Sequence, residues 1–409
     1  MKHRIHILMF AVFLVVAVFP EVVFAQVRII DASVEYTFGE RITFHAEVNS
    51  DSPVESAIIF FQADGDTHTS VDLATLNPVG DETYQLIYVH NLADYAIRPF
   101  SYVSYRWEIT PKQGEIYQSP SYRFFYEDNR FDWKTLDEKP FRVHWYQGNL
   151  QFAQSILDVA QRGLTSIQGI LSLPEPVSLD IYVYPDSQTM QTSLSEGSEN
   201  WVAGHADPDL GVVLVTLPEG PEQRLLMEQR IPHELMHVML YQATDPGYAN
   251  LPVWLNEGLA SMAELHPNPD YRILLESAVR KDSLLPILSL CKTFPRDVSN
   301  ALLSYAEAAS FTRYLHGIYG ITGLWDLVIA YANGLDCDPG AEKALGKSLT
   351  QLERSWQRDE LSQNVTLMAL NNLFPWIVLF AAILAAPLIL VLYLLRQKPG
   401  TGSASHSVG

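Results

Sequence analysis

Apolar and polar positions follow a different rule in each part of the chain. Between Val27 and about Tyr126 they alternate in short runs. Arg41 to Val48 alternates residue by residue, Ala57 to Phe61 is wholly apolar, and Tyr84–Val89, Ser101–Ile109 and Tyr117–Phe125 are rich in Tyr, Phe, Ile and Val. Phe38-Gly39-Glu40, Asp64-Gly65-Asp66 and Pro111 to Gly114 separate them as turns. Runs of this kind put successive side chains on opposite faces of a strand. The pattern predicts a two-sheet antiparallel sandwich over residues 26–127, with about seven strands of the immunoglobulin or fibronectin type III kind. No cluster of chemically active residues stands out there, so this part reads as a spacer or as a module for a surface partner.

Residues 128–140 are charged and rich in turn formers, and read as a linker. From 141 to 361 the period lengthens. A strand at Phe141–Tyr146 precedes a helix at about Leu150–Leu171, in which Phe152, Ile156, Val159, Leu164, Ile167 and Ile170 recur at helical spacing. Strands follow at Val177–Tyr184 and Leu210–Leu217, then a helix from Glu222 to about Gln242. After Pro252 the pattern is helical throughout: Val253–Leu265, Asp270–Lys281, Val298–Tyr319, Leu324–Asn333, and shorter pieces to Leu361. Strands interleaved with helices and followed by helices alone define an α+β domain.

Both ends of the chain are apolar. Lys2, His3 and Arg4 precede an apolar stretch from Ile5 to Phe19, and Val23-Phe24-Ala25 offers small residues for cleavage before Gln26, so residues 1–25 read as a signal peptide. Phe374 to Leu395 carries no charge and is long enough to cross about 30 Å of hydrocarbon. Trp376 and Tyr393 sit near its two ends, and Arg396 and Lys398 follow directly. The expectation is a juxtamembrane segment over 362–373, one transmembrane helix over 374–395 and a short cytoplasmic tail over 396–409. The ectodomain would then lie outside the cell membrane.

The formal charge of -20 excludes nucleic acid as a partner, since phosphate-backbone binders carry basic surfaces. Cys291 and Cys337 are the only cysteines, and their pairing is left open by the sequence. Asn364-Val365-Thr366 is a glycosylation sequon where the host glycosylates.

The chemistry concentrates at His233-Glu234-Leu235-Met236-His237. Two histidines four apart leave one face of a helix, a spacing that grips a divalent metal, with Glu234 beside them to take a proton from water. Arg224, Glu228 and Arg230 make the carrier helix amphipathic and exclude an intramembrane protease. A catalytic zinc takes three protein ligands. A metzincin would place its third histidine six residues after His237, where Ala243 stands. Glu257, in Trp254-Leu255-Asn256-Glu257-Gly258, is the alternative third ligand on the following helix.

These two motifs resemble the gluzincins, the thermolysin-like zinc peptidases, and most of all their bacterial peptidase MA-like branch. The resemblance spans about 140–330 and includes Ser304-Tyr305-Ala306-Glu307-Ala308. It implies a zincin-type fold, one catalytic Zn2+, His233, His237 and Glu257 as metal ligands, and Glu234 as general base. It also implies a downstream donor to the oxyanion, for which Tyr305 is the candidate and His205 a weaker one. Trp201 to His205 and the strand at 210–217 match the place of the family's edge strand, which binds substrate backbone.

The sequence departs from the family at two points. Ser261 stands where thermolysin-like enzymes carry an aspartate that orients a histidine, which points to a different or weaker support around the metal. The Gly-x-Met-Glu-Asn element of membrane aminopeptidases is absent, leaving endopeptidase action on a peptide or protein substrate as the default. The competing reading is a surface binding or adhesion protein with a vestigial zincin site; the retention of Glu234 together with all three ligands weighs against it.

Overall fold

A computed structural model of the chain describes residues 26–194, 204–361, 373–385 and 387. The chain divides into two compact units between Arg130 and Phe131.

The first unit is a sandwich of two antiparallel sheets. One contains β1 (Val27–Thr37), β2 (Arg41–Ser50), β6 (Thr83–Asn91) and β5 (Thr75–Pro78), in that spatial order. The other contains β4 (Ser70–Leu73), β3 (Val54–Ala63), β7 (Ser101–Pro111) and β8 (Tyr117–Gln118), with β9 (Tyr122–Tyr126) also paired to β7. Alternation decides which side chains enter the core: Ile42, Phe44, Ala46 and Val48 from β2 meet Ala57, Ile59 and Phe61 from β3 and Val103, Tyr105, Trp107 and Ile109 from β7. Burying one large apolar side chain is worth roughly 1.5–3 kcal/mol. The run Ala57–Phe61, apolar at every position, is therefore buried only at alternate ones. Phe60 faces outward and is covered by the Arg106 guanidinium, 3.8 Å above its ring.

The second unit opens earlier than its composition suggests. Residues 134–138, expected in a linker, form β10 (Lys134–Glu138), antiparallel to β11 (Phe141–Trp145). As an edge strand it leaves Lys134, Thr135, Asp137 and Glu138 exposed, and for this reason it reads as a loop in the sequence. Beyond β11 come α1 (Leu150–Ile170), β12 (Leu179–Tyr184), α2 (Ser187–Gln191), β13 (Gly204–Asp207), β14 (Val212–Thr216) and α3 (Gln223–Thr244). The sheet runs β10-β11-β12-β14-β13, with β11, β12 and β14 parallel and the two outer strands antiparallel.

The remainder is helical: α4 (Val253–Ala263), α5 (Pro269–Lys281), α6 (Val298–Ala332), α7 (Cys337–Leu345) and α8 (Leu349–Trp356). The helices expected at 298–319 and 324–333 run together as α6 across a break at Gly320, whose positive φ of 64° only glycine adopts readily. Helix α3 is amphipathic only in its first two turns. From Ile231 to Leu240 every side chain except that of His233 is buried, because α1, α4 and the strands β13 and β14 pack around it. A Cβ at Gly163 of α1 would stand 3.0 Å from the ring of Pro232, so glycine lets α1 approach α3 closely.

Residues 373–385 are helical with exposed apolar side chains, among them Phe374, Trp376 and Phe380. Among the described residues no helix is long and apolar enough to cross a membrane. The rest of the expected span except residue 387, the signal segment and the sequon at Asn364 lie outside the described residues.

Candidate metal centre

His233 and His237 leave α3 one turn apart, with ring centroids 5.2 Å from each other. Helix α4 returns across them and brings Glu257 between the rings. Its Oε2 lies 3.4 Å from His233 Nε2 and 3.7 Å from His237 Nε2. All three ligand atoms fall within 4.8 Å of one another, the one such group of His, Cys, Asp or Glu among the described residues. Two imidazole nitrogens and a carboxylate oxygen are a donor set suited to a catalytic zinc, and a tetrahedral ion would keep one position open.

The other ring nitrogens are already engaged, and this fixes which lone pairs point inward. His233 Nδ1 pairs with Glu264 Oε1 at 3.2 Å, and His237 Nδ1 pairs with Asn256 Oδ1 at 3.1 Å. Asn256 Nδ2 in turn donates to the Tyr248 hydroxyl at 3.0 Å. Such partners hold the ring and its tautomer for metal binding. The support expected from position 261 is thus supplied elsewhere. Ser261 is buried one turn beyond Glu257, and Glu264, at the end of α4, is the carboxylate that reaches His233. Glu264, Asn256 and Tyr248 were not selected from the sequence. Asn256 adjoins Glu257 and so carried a signal, whereas Tyr248 and Glu264 carried none.

Electrostatics around the site balance burial against opposite charge. Burial opposes charging of His233, but its contacts with Glu257 and Glu264 and the nearby Glu234 outweigh it and raise its pKa well above the ordinary value. Burial likewise pushes the Glu257 carboxyl up, and His237 and His233 more than reverse this, leaving it lowered.

Glu234 is buried, 8% exposed, and turns toward the edge strand β13. A Cβ built on Gly204 would stand 2.4 Å from Glu234 Oε1 and 3.0 Å from its Cδ. His205 follows on the same strand, opposite Leu214 of β14, with Nε2 3.8 Å from Asp207 Oδ1. Residues Trp201 to Ala203 lie outside the described residues. Tyr305 projects from α6 with its ring edge-on to Phe294 at 5.0 Å. Burial first, then the charges of Glu257 and Glu234, raise its pKa, so it lies within electrostatic reach of both carboxylates and keeps its proton. Tyr248 is raised by burial and by the same two carboxylates.

Two features set the position of α4. Cys291 and Cys337 form a disulfide, and the Cys291 carbonyl accepts the N–H of Val253, the first residue of α4, at 3.0 Å. Directly after Glu257, Gly258 allows α4 to approach α6: a Cβ there would lie 2.1 Å from Thr312 Oγ1 and 2.6 Å from the Ala308 carbonyl.

Two histidines and a glutamate on one helix and a further glutamate on the next give this α+β unit a candidate metal-hydrolase site of the HExxH-plus-glutamate class. Residues 159–361 match the family model of the Peptidase MA superfamily. No curated protein matches the chain significantly. Similar solved structures include OgpA from Akkermansia muciniphila, 10% identical over 25% of this chain and 28% of that one, with a TM-score of 0.20. An aminopeptidase N family protein from Idiomarina loihiensis is 7% identical over 82% of this chain and 73% of that one, with a TM-score of 0.34. The match thus spans little more than a quarter of the length of OgpA.

Proposed function

We propose that the protein is a membrane-anchored, extracytoplasmic zinc metallopeptidase that cuts within peptide chains. The observation that carries this reading is the convergence of His233 Nε2, His237 Nε2 and Glu257 Oε2 beside a buried Glu234 that lies against an edge strand. The helix at 373–385, with its exposed apolar side chains, supports the anchoring. When bound, zinc supplies Lewis acidity, polarising the scissile carbonyl and acidifying the attacking water.

The chain's own residues do the rest. Glu234 takes a proton from the attacking water and delivers it to the leaving nitrogen, a role that contributes typically 10²–10⁴-fold in rate. Strand β13, the outer strand of the sheet, offers its backbone to an extended substrate, which adds as a further strand. Tyr305, protonated and close to both carboxylates, donates to the developing oxyanion. The sandwich unit holds the enzyme on a surface partner.

The test is cleavage-site profiling of a peptide mixture by mass spectrometry, with the full-length protein and its measured zinc content. Chelator-sensitive cuts at internal bonds, lost in Glu234→Gln while zinc stays bound, are expected. A wild-type protein that holds one zinc and makes no such cuts would be a binding protein with a vestigial site.

A further inference from the structure

The residue before the first metal ligand is a proline inside α3, Pro232. A helical residue at this position normally donates its N–H to the carbonyl four residues earlier, here Glu228. Proline has no N–H, and its ring crowds that carbonyl. Glu228 O is therefore released from the helix ladder, and an outside donor takes it: the N–H of Leu265, at 2.9 Å. Leu265 directly follows Glu264, whose Oε1 contacts His233 Nδ1 at 3.2 Å. The proline thus frees a carbonyl on α3 that fastens the end of α4, and the fastened residue is the neighbour of the carboxylate that contacts His233.

We propose that Pro232 is a positioning residue for the metal centre, acting through Glu228 O, the Leu265 N–H and Glu264 to hold His233 Nε2 toward the ion. This rests on the metal-centre reading above. It accounts for a residue that otherwise weakens a buried helix by about 3 kcal/mol. It also explains how Glu264, seven residues after Glu257 and just past the last turn of α4, keeps a defined place. A freely rotating carboxylate beyond a helix end would spend little of its time at His233, since immobilising a glutamate side chain and its backbone costs conformational entropy.

The test is a double-mutant cycle on the full-length protein. Zn2+ affinity is read by chelator competition and stability by thermal unfolding without metal. Pro232→Ala restores an N–H that competes for Glu228 O. It is expected to weaken Zn2+ binding about 10- to 100-fold, the usual effect of losing an orienting partner. Metal-free stability should hold steady or rise, because alanine suits a helix better than proline. In a Glu264→Gln background the same substitution should cost no more than about twofold, since the two act in series. Leu265→Pro removes the donor from the other side and should reproduce the loss should Pro232→Ala fail to fold; Glu264, with ψ of 125°, already has the backbone that precedes proline.

A Zn2+ affinity unchanged by Pro232→Ala overturns the proposal. So does a loss that persists undiminished in the Glu264→Gln background, or one that merely tracks a fall in stability. A wild-type protein that takes up no Zn2+ at all would instead sink the metal-centre reading itself.

Discussion

The Cα of Gly204 faces the carboxylate of Glu234 so closely that a methyl group there would stand 2.4 Å from Oε1. The edge strand and the proposed general base share one narrow space, and only a missing side chain lets them do so. Gly204→Ala should push the Glu234 carboxylate out of place. An angstrom of misplacement in a catalytic group can cost about 10²-fold in rate. The expected outcome is a loss of that order in kcat/KM with zinc content unchanged; a variant as active as wild type would show that the carboxylate does not work from this position.

On the other arm of the site, Tyr248 fixes which way the Asn256 amide points. Its hydroxyl accepts from Nδ2, so Oδ1 is left for His237 Nδ1. Tyr248→Phe removes that acceptor and lets the amide turn, presenting N–H where His237 also carries one. Zn2+ affinity should fall by about tenfold, within the range for outer partners of ligating histidines. Nitrogen NMR of the metal-free protein should show His237 shifting toward the Nε2–H tautomer. Equal tautomer populations in the two proteins would refute this.

The raised pKa of His233 sets the direction of a pH effect on metal uptake. A proton held above the ordinary imidazole range must leave before the ion can bind, so affinity should climb as pH rises and fall on acidification. One displaced proton corresponds to about tenfold in affinity per pH unit. Titrations of Zn2+ binding between about pH 6 and about pH 8, spanning the ordinary imidazole range, decide the matter. A flat dependence is the contrary result.

A second buried acid lies away from the metal. Glu307 on α6 is fully buried; its Oε1 accepts the N–H of Leu285 at 2.9 Å, and its Oε2 has no hydrogen-bond partner. Burial first, and then the facing Glu353 of α8, push its carboxyl up to about 8. Unfolded, it would titrate near 4.3, as glutamates ordinarily do. Its stabilising contribution is fully present below that unfolded value and is lost as pH rises through the folded one, because the native state holds a proton that the unfolded chain has released. Glu307→Gln should therefore flatten the decline in thermal stability between about pH 5 and about pH 8. The same slope in mutant and wild type would show that Glu307 is not the group responsible.

Two things were determined by the sequence alone. Period-two alternation in the first unit and helical spacing in the second are read directly from side-chain order, because burial on one face imposes them locally. His233, Glu234 and His237 are legible for the same reason: one helical turn brings them together wherever the helix sits. Glu257 could be named from its motif, but its place between the two rings is a matter of tertiary structure.

What the order of residues could not show was decided by approach between elements far apart in the chain. Gly204 matters because β13 crosses Glu234, and Gly258 because α4 lies on α6. Glu264 reaches His233 because the end of α4 returns to α3. The edge strand β10 reads as a linker because an edge position rewards exposed charge. Ser261 looked like a weakened support because one turn of α4 is all that spacing can measure. Three residues further on, a hydrogen bond from Leu265 to α3 brings the supporting carboxylate to His233.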